Sequence, residues 1–321
     1  MRLEYWATLG RAWRRMTGLL FRPFDPIRWL VLAFCAWVAG LLDGHGGGGP
    51  GGGGDHGGGP GGHVPADVAE GMRELLAALH AAWDWVLGHW GATLLVFVGI
   101  PLLIAAILAL VWVTSRFKLI FLDNLVRGRA QIAEPWRRLG TLGDSLFLFR
   151  VGFGVVAFVV GAILVGTLVG LGIFTGASEG RGLGIVGLVA VGLLFLAFVI
   201  AVVYAALFLD SFVVPIMYRH NLLVMPAWRA FMPWLSTDGA SFFLYGLFVL
   251  LLFLAAAIAI VAFGLATCCI GFIFLAIPYV GTILLLPFLV TYRYLSLEFL
   301  AQLDPTLDVF ARPEAAPVEQ G

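Results

Sequence analysis

Charge is what this sequence lacks most. Only 12% of its 321 residues are Asp, Glu, Lys or Arg, and 61% are hydrophobic. The mean hydropathy is +1.00. Soluble globular domains carry about 25% charged residues. The composition therefore excludes a soluble globular protein and predicts an integral membrane protein.

Cysteine is also scarce, with Cys35, Cys268 and Cys269 in the whole chain. Three cysteines, two of them adjacent, cannot form a disulfide framework. We interpret them as small apolar helix residues. A vicinal redox pair at Cys268 and Cys269 is the alternative.

The sequence contains two matches to catalytic or nucleotide-binding motifs, but neither lies in the structural context that its motif requires. Residues 176–180 spell G-x-S-x-G and residues 182–187 spell G-x-G-x-x-G. Both motifs require a preceding strand, whereas these matches lie between two apolar helices. Apart from Arg28, which is expected at the interface, the predicted spans hold no Asp, Glu, Lys, Arg or His, which argues against a carrier coupled to protons or sodium. We expect no enzymatic activity, no cofactor and no nucleic-acid partner.

What the sequence does contain is a series of long apolar runs. A membrane span needs about 20 predominantly apolar residues. Six runs are predicted as spans, at residues 27–42, 92–114, 151–175, 183–209, 240–266 and 272–292. The last two form one apolar stretch of 53 residues, which must fold back on itself near residues 267–271. The predicted fold class is an all-α bundle of six transmembrane helices in three hairpins.

Amphipathic and biased segments accompany the spans. Residues 1–26 contain an amphipathic pattern that predicts a helix lying in the cytoplasmic membrane surface. Residues 43–63 hold fourteen glycines in 21 positions and predict a flexible outer loop. Residues 66–90 predict an outer amphipathic helix, and residues 304–321 a disordered cytoplasmic tail.

The apolar stripe of the first amphipathic helix is a specific prediction. Its members recur at spacings of three and four residues, and they are Trp6, Leu9, Trp13, Met16 and Leu20. We expect this stripe to face the apolar side.

The basic residues predict an orientation. With six spans and an inside N-terminus, seventeen of the nineteen Lys and Arg residues fall on one side, and only Arg73 and Arg181 fall on the other. Basic residues concentrate on the cytoplasmic side of membrane proteins. We therefore expect an inner (plasma) membrane protein with both termini in the cytoplasm.

The longest charged interval, residues 115–150, has a pattern that recurs later in the chain. Phe-Leu-Asp ends an apolar run at Asp123 and again at Asp210, and each is followed by a proline, a Trp-Arg pair and a polar turn. We predict an internal repeat and interpret residues 115–150 as a cytoplasmic loop at the membrane surface. The two aspartates are expected to bind arginines of their own loop or to cap the next helix.

Tryptophan stands beside arginine in three charged intervals. Indole prefers the head-group level of a bilayer, and guanidinium pairs with phosphate. The predicted contacts with anionic phospholipid head groups or a protein partner are Trp13, Arg14, Arg15, Trp136, Arg137, Arg138, Trp228 and Arg229.

Five of the six histidines cluster between the first two predicted spans. Imidazole and carboxylate suit zinc, nickel or copper, but the spacings match no defined site. The weak metal-ligand candidates are His45, His56, His63, His80, Asp84 and His89. We expect adventitious binding or none.

Paired spans, Phe-Leu-Asp helix ends and Pro-x-Trp-Arg segments resemble a loose set of bacterial polytopic membrane proteins. They also resemble the membrane domain that some glycerophosphodiester phosphodiesterases carry. The likeness covers about residues 13–303, and no phosphodiesterase domain is present, so no catalytic residue carries over. The resemblance implies a membrane module. We expect a non-enzymatic accessory, anchoring or organising protein, with a carrier or channel for a lipid or small neutral solute as the alternative.

Overall fold

The computed structural model describes residues 5–42, 94–177, 181–267 and 270–310, together with Ala77, His80, Trp83, Gly88 and Gly91. The predicted glycine-rich loop at residues 43–63 lies outside the described residues. So does nearly all of the predicted outer helix at residues 66–90.

The described chain is all-helical. The α-helices are α1 (Tyr5–Phe21), α2 (Pro26–Gly40), α3 (Ile100–Arg127), α4 (Ala133–Arg138), α5 (Gly140–Ala177), α6 (Arg181–Phe208), α7 (Val214–His220), α8 (Val224–Thr237), α9 (Gly239–Ala266), α10 (Ile270–Ala276) and α11 (Pro278–Leu303). A π-helical segment, Leu95–Gly99, leads into α3, and another, Leu209–Val213, joins α6 to α7.

Five helical stretches within the described residues are long and apolar enough to cross a membrane. They are Leu95–Arg127, Gly140–Thr175, Gly184–His220, Gly239–Ala266 and Pro278–Leu303. The most apolar window is 56% buried in the last of these and at most 11% buried in the other four. The apolar surface of those four faces outward, as the helices of a multi-pass membrane protein do in lipid.

The predicted count of six spans is not confirmed. The first predicted span, residues 27–42, corresponds to α2, which has 15 residues. At about 1.5 Å per residue such a helix is about 22 Å long, short of the roughly 30 Å hydrocarbon core. Asp25 caps its start by accepting the backbone N–H groups of Ile27 and Arg28.

The interval predicted as a loop, residues 115–150, is helical for most of its length. Helix α3 continues to Arg127, and α5 already begins at Gly140. The helix persists because its apolar residues are buried, with Leu119, Ile120 and Leu122 at most 1% exposed. Its charged side chains also find partners inside the protein, as described below.

The residues fall into two compact units. The first unit contains residues 1–50, 111–150 and 204–321, and the second contains residues 51–110 and 151–203. In the first unit α11 is the central helix. The indole N–H of Trp29 on α2 donates to the Ile283 carbonyl at 3.2 Å, and the Tyr279 hydroxyl donates to the Leu30 carbonyl at 2.8 Å.

Helix α1 buries a face that coincides only in part with the predicted apolar stripe, since Met16 and Leu20 are buried and Trp6 and Trp13 are not. The buried residues are Thr8, Ala12, Met16, Leu19 and Leu20. Trp6 and Trp13 are 74% and 54% exposed. Helix α1 packs along α11, and the face that it buries, which includes the small residues Thr8 and Ala12, leaves the large indoles on the outside.

The predicted disordered tail is ordered over its first part. Pro305–Leu307 form a short 3₁₀ turn after Asp304 accepts the N–H of Thr306 at 2.8 Å. Leu307 and Val309 are buried, which supplies the apolar burial that orders this segment. Residues 311–321 lie outside the described residues.

Close crossing of α3 and α5 depends on a glycine. A Cβ atom at Gly143 would lie 2.7 Å from Arg116 Cγ and 3.3 Å from Arg116 Cα. Overpacking of this kind forces the backbone or the neighbouring side chain to move.

We expect Gly143→Ala to destabilise the protein by about 1–3 kcal/mol, the usual cost of overpacking. Gly152→Ala on the same helix is the matched control, because a Cβ there meets no atom within 4 Å. The check is the apparent unfolding temperature of both variants in detergent. Equal temperatures for the two variants would contradict the crossing geometry.

Candidate functional site

A buried carboxylate organises the polar end of α3. Asp123 is 0% exposed. One of its oxygens accepts from Arg138 on α4, from Arg127 Nε at 2.9 Å and from the Tyr218 hydroxyl on α7 at 2.6 Å. Arg129 stands 4.0 Å from the other oxygen. Three helices are thereby tied to one side chain, which confirms the prediction that this aspartate binds arginines of its own interval.

The aspartate of the second Phe-Leu-Asp, Asp210, has a different partner. It lies in the π-helical segment after α6, and Lys118 on α3 donates to its Oδ2 atom. Its backbone carbonyl accepts from Arg293 on α11. The partners of Asp210 therefore come from α3 and α11, so the prediction of arginines from its own loop is wrong here. The reason is that the helices meet side by side at this level, which brings distant basic residues closer than the local ones.

A second buried carboxylate joins α1 to α11. Glu298 is 6% exposed. Its Oε2 atom accepts from Arg11 Nε at 3.0 Å, and its Oε1 atom accepts from Arg15. Next to this pair, the Arg15 guanidinium carbon lies 3.8 Å from the centre of the Phe310 ring. Glu298 thus forms ion pairs with two arginines on one face of α1.

An aromatic and ionic cluster marks the crossing of α3 and α5. Arg116 Nη2 donates to both carboxylate oxygens of Asp144, at 2.8 and 2.9 Å, and the indole N–H of Trp112 donates to the same carboxylate at 2.8 Å. Trp136 packs edge-on against Trp112, with ring centres 5.7 Å apart. The guanidinium of Arg116 lies within 5.0 Å of both indole centres.

The predicted lipid or partner contacts divide into two groups. Arg15 and Arg138 are engaged by the buried carboxylates of Glu298 and Asp123. The remaining arginines, Arg14, Arg137 and Arg229, are exposed. None of these three forms an ion pair with another residue in the described part of the chain. We call Arg14, Arg137 and Arg229 the surface arginines.

The tryptophans of the same segments lie next to the surface arginines in the chain and differ in burial. Trp13 is 54% exposed. Trp136 and Trp228 are partly buried against the core. Of the three indoles, Trp13 is the one best placed to reach surrounding lipid.

Only one of the six metal-ligand candidates lies among the described residues. His45, His56, His63, Asp84 and His89 lie outside the described residues, and His80 is exposed on a helical turn. Among described residues no group of three His, Cys, Asp or Glu side chains is close enough to hold a metal ion.

Sequence reasoning missed Lys118, Arg293 and Glu298 as members of the polar network. All three are at most 8% exposed. Their positions in the sequence could have indicated a structural role, since each is a charged residue inside a helix-forming apolar stretch. Such residues are costly to bury and need a partner. Their partners are far away in the sequence, so only the folded chain identifies them.

One comparison with known proteins matches the chain. Residues 5–303 match the model of a family of unknown function, DUF7544. The chain belongs to this family. No curated protein and no solved structure matches the chain. The match does not link the chain to the membrane domain of glycerophosphodiester phosphodiesterases.

We expect Asp123→Asn to destabilise the protein by about 1.5–3 kcal/mol, because the buried carboxylate loses its charge-assisted hydrogen bonds. Asp144→Asn is the control, since its side chain is 49% exposed and partly exposed pairs contribute about 1 kcal/mol or less. Unfolding in detergent, followed by tryptophan fluorescence, measures both. Similar losses of stability would show that Asp123 is not the organising residue.

Proposed function

We propose that this is a non-enzymatic membrane protein, an accessory, anchoring or organising subunit that holds anionic phospholipid head groups at the surface of its first unit. The observation that carries the proposal is the set of surface arginines. Each Trp-Arg segment presents one arginine outward without an ion pair to another described residue. A free guanidinium beside an indole suits a lipid phosphate at the head-group level.

The division of arginines supports this proposal further. Arg15 and Arg138 form ion pairs with the buried carboxylates of Glu298 and Asp123. Arg14 and Arg137, their immediate neighbours in the chain, have no comparable structural role. Clustered basic residues near a membrane contribute about 1 kcal/mol each to binding anionic lipid.

We also propose six spans, with both termini in the cytoplasm of a bacterial inner membrane. Contacts within the first unit support an even number of crossings. Arg15, near the start of the chain, packs on Phe310, near its end, so both lie on the same side of the membrane. Five candidate spans separate them, and a sixth crossing between residues 26 and 93 makes the count even.

The internal repeat stays a proposal. Asp123 and Asp210 each accept from a basic side chain, and a short helix containing a Trp-Arg pair follows each of them, α4 and α8. This parallel supports two related halves that meet the membrane surface in the same way.

The lipid proposal is tested by the triple variant Arg14→Gln, Arg137→Gln, Arg229→Gln. Purified protein in detergent is titrated with micelles containing phosphatidylglycerol or phosphatidylcholine. We expect wild-type protein to prefer phosphatidylglycerol and the triple variant to lose about a hundredfold in affinity, from roughly 1 kcal/mol for each of the three arginines. The preference should weaken as salt is added.

The matched control removes the same number of charges elsewhere, as Arg22→Gln, Arg181→Gln, Arg312→Gln. None of these three arginines stands beside a tryptophan. We expect the control to bind like wild type. Equal losses in both triple variants would mean that only total charge matters, and this would contradict a role for the Trp-Arg segments.

The alternative, a carrier or channel for a lipid or small neutral solute, makes a separate prediction. Vesicles containing the protein are tested for solute flux and for lipid scrambling against protein-free vesicles. We expect no difference for an organising protein. Flux that depends on the protein would overturn the proposed role and establish the carrier.

A further inference from the structure

An open groove in the first unit is lined by three arginines. It has a volume of about 370 Å³, within the range of about 300–1,000 Å³ that small-ligand sites occupy. It lies where the end of α1, the start of α2, the end of α3 and the tail after α11 come together. We call it the arginine groove; its lining is Arg15, Gly18, Leu19, Arg28, Leu125, Val126, Arg127, Gly128, Tyr294 and Phe310.

The groove is cationic, and no acidic side chain is among the described residues that line it. Arg15 and Arg127 each reach a buried carboxylate through Nε, those of Glu298 and Asp123. A guanidinium has five N–H donors, so most donors of both side chains stay available with respect to the described residues. Arg28 is less engaged, because its side-chain hydrogen bond within the described part of the chain is a 3.5 Å approach to the Leu19 carbonyl, longer than a normal hydrogen bond.

The nearby carboxylates are each shared between arginines. Glu298 is shared by Arg11 and Arg15. Asp123 is shared by Arg127, Arg129 and Arg138, and Glu134 by Arg127 and Arg129. Arg28 forms no ion pair with another described residue, and an anion in the groove would balance its charge.

Two other carboxylates near the groove are turned to backbone groups. Asp25 accepts the N–H groups that begin α2, and Asp308 accepts the N–H of Phe310 at 2.9 Å. Neither residue is part of the lining. An anion entering the groove would therefore face guanidinium groups on three elements.

The rest of the lining is largely apolar. Leu19, Leu125 and Tyr294 are buried there, and the Tyr294 hydroxyl is occupied because it donates to the Leu125 carbonyl at 2.9 Å. Beside Arg28 in the chain, Phe24 and Ile27 are 61% and 72% exposed. Apolar surface adjoining a cationic groove suits an amphiphile better than a free ion.

We propose that the arginine groove binds the phosphate group of one anionic phospholipid, with its acyl chains on the adjoining apolar surface. The site deepens the proposed function and rests on it, because it requires the first unit to lie at the head-group level. It differs from the surface arginines in that its three arginines line one groove, so it should bind one lipid molecule.

Arg28→Gln tests the charge of the groove. Arg28 is chosen because it holds no buried carboxylate, so its loss should leave the fold intact. Arg22→Gln is the matched control, an exposed arginine in the same connection between α1 and α2 that does not line the groove. We expect Arg28→Gln to weaken lipid binding by about tenfold, as for the loss of one charge-assisted hydrogen bond, and Arg22→Gln to bind as wild type does.

Gly18→Phe tests the space of the groove without changing its charge. A Cβ at Gly18 meets no atom within 4 Å, and replacing glycine inside a helix favours the helical state. The variant should therefore fold normally while its ring fills the groove. Gly239→Phe is the control for added bulk, since it is exposed, equally unobstructed and outside the groove.

The measurement is a calorimetric titration of the full chain in neutral detergent with short-chain phosphatidylglycerol, short-chain phosphatidylcholine, glycerol phosphate and inorganic phosphate. We expect saturable one-to-one binding of phosphatidylglycerol alone, weakened in Arg28→Gln and abolished in Gly18→Phe. Wild-type affinity of Gly18→Phe for phosphatidylglycerol would show that the lipid does not bind in the groove. Equal affinity for inorganic phosphate would overturn the lipid assignment and leave a site for a free phosphate.

The surface-arginine triple variant separates this inference from the proposed function. If the site is real, that variant loses its preference for anionic micelles and still binds one short-chain phosphatidylglycerol. If the triple variant keeps its preference for anionic micelles while Gly18→Phe loses one-to-one binding of phosphatidylglycerol, the proposed function is wrong and the groove is still supported as a binding site. Loss of one-to-one binding in the triple variant would show that the groove is not a separate site.

Discussion

The buried carboxylate of Asp123 is the contact on which the polar part of the first unit depends. It collects Arg127 and Arg138 from its own interval and a hydroxyl from Tyr218 on a distant helix. A charge without solvent must be paired and hydrogen-bonded to be tolerated. The end of α3, the short helix α4 and the segment after α6 are therefore held together, and α3 can continue as a helix into a charged region.

The arginines of the first unit fall into two groups by their contacts. Arg15 and Arg138 reach inward to balance carboxylates, while Arg14 and Arg137 remain at the surface. Arg28 faces the groove at the ends of α1 and α3. This distribution supports the proposed organising role at the membrane surface.

Part of the candidate site could be predicted from local pattern. Trp-Arg pairs and the Phe-Leu-Asp helix end are short-range features, and the binding of Asp123 to arginines of its own interval followed from their proximity in the chain. The partner of Asp210 could not be predicted in this way, because Lys118 precedes it by 92 positions. The arginine groove was equally hidden, since its lining runs from Arg15 to Phe310. Pairings over such distances depend on how helices cross, and helix crossing leaves no periodic signal.

The sequence by itself determined the class of this protein, since low charge and long apolar runs allow only helices that satisfy their own backbone hydrogen bonds in lipid. It also determined the approximate place of most spans. Only the tertiary structure decided where helices end and which face they bury. Helix α3 extends through predicted loop to Arg127, and α1 buries Ala12 and leaves Trp13 outside. The reason is that a buried ion pair or a close helix contact, made by residues far apart in the chain, outweighs the local pattern.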